Sequence, residues 1–202
     1  MEKLLYPFQY FRLQNSEVRF INFVPTVIFA AIIFLPFAVI PKANFFGAGG
    51  FLVNLAVLTA ALTGFYVAAL TAAATFAHAD LDKVMTYGAV KRLVTLEDKT
   101  TELQSLTRRE FVCLVFGFLA FSAMSFTILA SMAIAIAPAV NPVIMVRDHN
   151  IAPYVSLASQ LLFIVWISHL FVVTCLGLYY LMDRLHRRDK SVVTRADGKK
   201  AA

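Results

Sequence analysis

The sequence predicts an all-α integral membrane protein: four transmembrane helices with a cytoplasmic helical hairpin between the second and the third. Three observations predict it. The 202-residue chain is 60% hydrophobic, above the roughly half expected of a soluble domain, and its mean hydropathy is +0.75. Four segments, about 20–40, 51–77, 111–137 and 154–182, lack Asp, Glu, Lys and Arg, and each reaches the ~20 residues a helix needs to cross a bilayer core. Every Lys and Arg except Lys42 and Arg147 falls in residues 1–19, 78–110 or 183–202. Cytoplasmic segments are enriched in basic residues, so both termini and the central segment are expected in the cytoplasm, with the spans in the bacterial inner (plasma) membrane.

Residues 1–19 alternate aromatics and leucines with Lys3, Arg12 and Gln14. That mixture suits an interfacial segment lying at headgroup level. The charged lead is long, and the apolar stretch that follows is long enough to span and ends in no small-x-small cleavage site, which argues against a secretory signal. The first span carries Pro25 and Pro36. Pro25 removes one backbone donor and is expected to act as a hinge. Asn22 lies near the span's end, within reach of water or headgroups. The link from Pro41 to Gly50 holds Gly47 and Gly49 and reads as a turn between antiparallel helices.

In the second span Ala56, Ala60, Gly64, Ala68 and Ala72 recur at every fourth position. This small-xxx-small spacing lets two helix backbones approach closely, so these residues are the expected helix-packing face. Thr59, Thr63, Thr71 and Thr75 form a second row beside it, interrupted by Val67. Threonines in a membrane helix commonly return their hydroxyls to their own carbonyls. The competing reading of the row is a polar pore seam.

Residues 78–110 hold six basic and six acidic residues. Their balance excludes a polybasic lipid- or nucleic-acid-binding patch. At helical periodicity Leu81, Val84 and Met85 share one face with Gly88, whereas Tyr87, Val90, Leu93 and Val94 share another. These apolar positions are the expected partner-binding surface, with Gly88 a second hinge and the turn near residues 96–100. Thr107 and Glu110 have the spacing of a capping box ahead of the third span. In the fourth span His169 is an ionisable group in mid-membrane, a functional candidate by default. With no Asp or Glu inside any span, a neutral imidazole bonded to a Ser or Thr is the expected state. Residues 183–202 form a basic cytoplasmic tail without the apolar content to fold.

No catalytic constellation emerges, and neither a metal nor a cofactor is predicted. Cys113 and Cys175 lie singly in apolar segments and read as small hydrophobes. Asp148 and His149 are adjacent on a loop and share no defined geometry. The outer loops hold no cysteine, the spans offer no second histidine at matching depth, and no nucleic-acid-binding motif accompanies the basic charge.

In architecture — short, few-spanned, without enzymatic motifs — the chain resembles small membrane effectors of bacterial defence and toxin systems. The resemblance implies a non-enzymatic, oligomeric inner-membrane protein that perturbs or permeabilises the bilayer as a pore or channel, in antiviral defence for example. It also implies control by a cytoplasmic protein or complex acting on the hairpin. The alternative expectation is a structural or scaffold subunit of a larger inner-membrane complex.

Overall fold

The computed structural model describes residue 10 and residues 16–40, 43–75, 91–95, 101–140, 145–146, 149–150 and 152–181. Among these residues four helices are long and apolar enough to cross a membrane: α1 (Ser16–Val39), α2 (Phe51–Thr75), α3 (Arg108–Val140) and α4 (Ala152–Tyr179). Each expected span has its helix, with ends displaced by a few residues. Two short hairpins accompany them, β1 (Lys91–Thr95) with β2 (Thr101–Ser105), and β3 (Met145–Val146) with β4 (His149–Asn150).

The first of these hairpins corrects the expectation of a helical one. β1 and β2 are antiparallel, with Leu93 opposite Leu103 and Val94 opposite Glu102. The 3.6-residue periodicity that grouped Leu93 and Val94 with Tyr87 and Val90 therefore does not hold there, because a strand sends successive residues to opposite faces. The reversal lies between Thr95 and Thr101, where the turn was expected. The competing signal was local: Val94 and Thr95 are β-branched, and Thr101 is β-branched too. The positions Leu81, Val84, Met85, Tyr87 and Val90 and the hinge Gly88 lie outside the described residues, as does the tail.

α3 is the centre of the bundle. Half of its spanning stretch is buried, against 17% for α1. It packs along α2 on one side and α4 on another, while α1 docks on α4. Two clusters fill the interior. One, at the end where α3 begins, gathers Tyr66, Ala73, Phe111, Phe116, Leu119, Leu170 and Val173. The other, at the opposite end, gathers Ala30, Phe45, Leu52, Phe126, Ala130 and Ile164.

The α1–α2 link is a folded cap. Asn44 Oδ1 accepts from Gly47 N at 2.8 Å, and its amide donates to Ala48 O at 3.1 Å. Gly50 N then donates to Gly47 O, and Phe51 N and Leu52 N donate to Asn44 O and Phe45 O. Glycine is required twice: Gly49 has φ +66°, and a Cβ on Gly50 would sit 2.8 Å from two backbone oxygens. Phe45 is buried and meets Phe37 and Phe51 ring against ring.

At the other end the capping box forms as its spacing predicts. Thr107 N donates to Glu110 Oε2 at 2.9 Å, and Glu110 N donates to Thr107 Oγ1 at 3.2 Å. Arg109 reaches across to α2, whose last turn carries no basic residue of its own. Its guanidinium donates to Ala73 O at 3.3 Å and Ala74 O at 3.2 Å. These are carbonyls left open at a helix C-terminus, where a cation also meets the negative end of the helix dipole. The first turn of α3 is thereby tied to the last turn of α2.

Candidate functional site

Two features of the sequence, the small-residue row and the threonine row, lie together on α2, and the structure separates them from the helix's buried side and from each other. The buried side of α2 is the row Leu52, Leu55, Thr59, Tyr66 and Ala73, with Leu62 and Leu70 packed against it. The row advances in steps of three and four residues, the pattern of a left-handed, nearly parallel seam. The row of small residues runs differently. A step of four residues advances about 40° beyond a full turn, so it winds across the helix. Ala56 is buried at the inner edge, Ala60, Gly64 and Ala68 are exposed, and Ala72 is half-buried at the far edge. A Cβ placed on Gly64 would meet nothing within 4 Å. Among the described residues this face therefore has no helix against it.

The threonines divide too. Thr59 is fully buried, accepts or donates at 2.8 Å to Thr127 of α3, and lies within bonding distance of Leu55 O and Ala56 O. Thr63, Thr71 and Thr75 bond back to Thr59 O, Val67 O and Thr71 O. Thr63 is half-buried, whereas Thr71 and Thr75 are exposed beside Gly64 and Ala68. No single polar seam joins the four.

Between α3 and α4 lies a groove of about 950 Å³. Phe118, Phe121, Ser122 and Ser125 line it from α3, and Trp166 and His169 from α4. His169 is half-buried, with its ring 6.0 Å from that of Phe118 in an edge arrangement. Trp166 Nε1–H donates to Ser122 Oγ at 2.8 Å, and Phe126 meets the indole edge-on at 5.7 Å. Sequence reasoning singled out His169 but missed the groove. The signal was present as matched i, i+3, i+4 spacing of aromatic and polar residues on both helices.

The N-terminal segment also departs from expectation at its described residue. Tyr10, placed at headgroup level by composition, is 5% exposed and stacks on Phe118 at 4.8 Å. Its hydroxyl accepts from Asn22 Nδ2 at 2.6 Å. Asn22 is accordingly buried in the bundle and bonded to protein, and burial pushes the Tyr10 phenol up to about 12. Pro25 sits inside an unbroken α1, one residue before Thr26, whose hydroxyl donates to Asn22 O at 2.6 Å.

Among the described residues no three His, Cys, Asp or Glu side chains converge as metal ligands. Cys113 and Cys175 are both free thiols. The class that fold and surfaces define is a four-helix membrane protein with an open small-residue face on one outer helix. No family model, curated protein or solved structure matches the chain.

Proposed function

We propose that this protein is a non-enzymatic inner-membrane effector that works as an assembly of copies. It perturbs or permeabilises the bilayer under the control of a cytoplasmic protein that engages residues 78–110. The observation that carries this reading is the open face of α2. Ala60, Gly64 and Ala68 are exposed, and nothing lies within 4 Å of a Cβ on Gly64. Lipid tails are as apolar as a leucine side chain, so helices associate in membranes through close backbone packing, and small residues permit it. An i±4 row suits a right-handed crossing of about −40°, which brings two copies of α2 together at Gly64 and splays them elsewhere. Thr71 and Thr75 lie on the same outward side, so an assembly built on this face sets their row around its axis.

In this reading both termini and residues 78–110 face the cytoplasm, following the basic residues. The Arg109 bonds to Ala73 and Ala74 couple the base of that segment to the ends of α2 and α3. A partner pulling on it moves the helix that carries the assembly face.

Expression of the protein alone in bacteria, with membrane potential followed by a dye, tests the reading. Depolarisation by the natural chain and none by an equally inserted Gly64→Leu chain is the expected result. Cells that stay polarised with the natural chain inserted and its partner absent contradict the effector reading. That outcome, with the protein recovered in a complex with other membrane proteins, favours a scaffold subunit.

A further inference from the structure

Tyr10 and the first turns of α1 meet away from the assembly face, at a junction of three helices. We propose that Tyr10 is a releasable latch: seated between Asn22 of α1 and Phe118 of α3, it holds the first turns of α1 against the bundle, and its withdrawal lets them swing out at Pro25. Tyr10 is 5% exposed, accepts a hydrogen bond from Asn22 Nδ2 at 2.6 Å and stacks on Phe118 with planes 14° apart. It thereby joins α1 to α3, whereas α1 itself packs along α4.

α1 is the helix best placed to move. Only 17% of its spanning stretch is buried, against 44% for α4 and 50% for α3. Among residues 22–40 its buried row is Asn22, Thr26 and Ala30, and the two residues nearest Tyr10 are polar and bury little apolar area. Pro25 divides this row. A proline brings no N–H to the carbonyl four residues back, that of Ile21, so the helix bends most easily there. Beyond Pro25, Phe29 meets Phe171 of α4 at 4.9 Å, and Ala30 belongs to the cluster that contains Ile164. Before it stands the Tyr10–Asn22 pair. That pair is closely balanced. Burial and stacking of the ring favour seating. The amide opposes it, because Asn22 Oδ1 is buried with no hydrogen-bond partner among the described residues, and a buried polar atom left unpaired carries its full desolvation cost. Once Tyr10 withdraws, headgroups and water reach the amide. In the topology proposed above residues 1–19 are cytoplasmic, so on that reading a cytoplasmic protein gripping the residues before Tyr10 works the latch without crossing the membrane.

Electron–electron double resonance on the full chain tests the latch, in nanodiscs holding one copy each and with Cys113 and Cys175 replaced by serine. One spin-label pair, Phe23→Cys with Tyr179→Cys, reports the latched end of α1. A reference pair, Leu35→Cys with Leu161→Cys, reports the part beyond Pro25. All four positions are exposed. With Tyr10 in place each pair is expected to give one narrow distance. Tyr10→Ala adds, at the first pair alone, a population longer by about 5 Å, one helical turn. Tyr10→Phe keeps the ring but leaves the amide without its partner, and shows a smaller share of that population. Adding Asn22→Leu to Tyr10→Phe restores the single short distance, since replacing both members of a buried polar pair by apolar groups removes the desolvation cost. A first pair unchanged by Tyr10→Ala overturns the proposal. So does equal broadening of both pairs, which marks a general packing residue, and so does a double variant as open as Tyr10→Phe alone. Tyr10→Ala is also expected to depolarise cells sooner than the natural chain. Lengthened distances in a chain that leaves cells polarised sink the effector reading and leave the latch standing.

Discussion

The alanines and threonines on the two faces of α2 meet opposite fates. Inward, Thr59 bonds Thr127, Tyr66 bonds Thr174 at 2.6 Å, and Ala73 is buried near Phe111. Outward, Ala60, Gly64, Ala68, Thr71 and Thr75 are exposed. Alanine and threonine occur in both sets, so these residue types do not by themselves tell the faces apart. Angular position does. The inward row steps by three and four and stays parallel to the helix axis, whereas the outward row steps by four and winds. In a membrane a small residue therefore marks a place where a backbone can approach closely, and only the fold decides whether that backbone belongs to the same chain.

Substitutions on each face sharpen this contrast. Tyr66→Ala removes a fully buried ring and an interhelical bond and is expected to destabilise the protomer by about 3 kcal/mol, read as loss of helicity in a detergent-denaturation series. Raising the pH tests the inward packing at Tyr10. The folded phenol titrates at about 12, above the ordinary tyrosine value of 10.0, so the folded state holds the proton longer. Its contribution is complete below pH 10 and is lost as pH rises towards 12, by at most about 2–3 kcal/mol at 1.36 kcal/mol per pH unit. Tyr10→Phe removes that component of the alkaline loss in the same assay.

Arg109→Ala frees the carbonyls of Ala73 and Ala74 and is expected to cost about 1 kcal/mol. Its mark is faster amide exchange in the last turn of α2, with the α1–α2 cap unchanged. Thr59→Val deletes the bond to Thr127 and costs about 0.6 kcal/mol, the average for such bonds within membranes. Gly64→Leu has the smallest effect on the protomer. Open space surrounds the position, and leucine is the better helix former by up to about 1 kcal/mol, so the single chain is as stable as before or slightly more so.

Much of this was legible in the sequence, because the features involved are local. Uncharged length delimited the four helices, and the Thr107–Glu110 spacing predicted a cap that forms with both of its bonds. Threonine back-bonding followed from helix geometry and is present at Thr63, Thr71 and Thr75. The long-range features stayed hidden. Nothing near Tyr10 in sequence announces Phe118, and a basic residue that caps another helix's carbonyls is invisible until Arg109 and Ala73 are brought together. The stretch from Lys91 to Ser105 misled for a different reason. A few apolar residues fit a helical period by chance, and the β-branched pair Val94 and Thr95 carried the stronger signal. The direction of the small-residue row was equally beyond the pattern, since its spacing permits close packing without naming the partner.

The central claim is that the outward face of α2 meets another copy of the same helix. It is tested by cysteine cross-linking in native membranes, in a chain whose Cys113 and Cys175 are replaced by serine and whose Ala68 is replaced by cysteine. Oxidation is expected to give a disulfide-linked dimer for Ala68→Cys, no dimer for the inward Ala73→Cys, and at least a tenfold loss of dimer when Gly64→Leu is added to Ala68→Cys. Equal cross-linking with and without Gly64→Leu, or none at Ala68→Cys in inserted protein, would contradict the account.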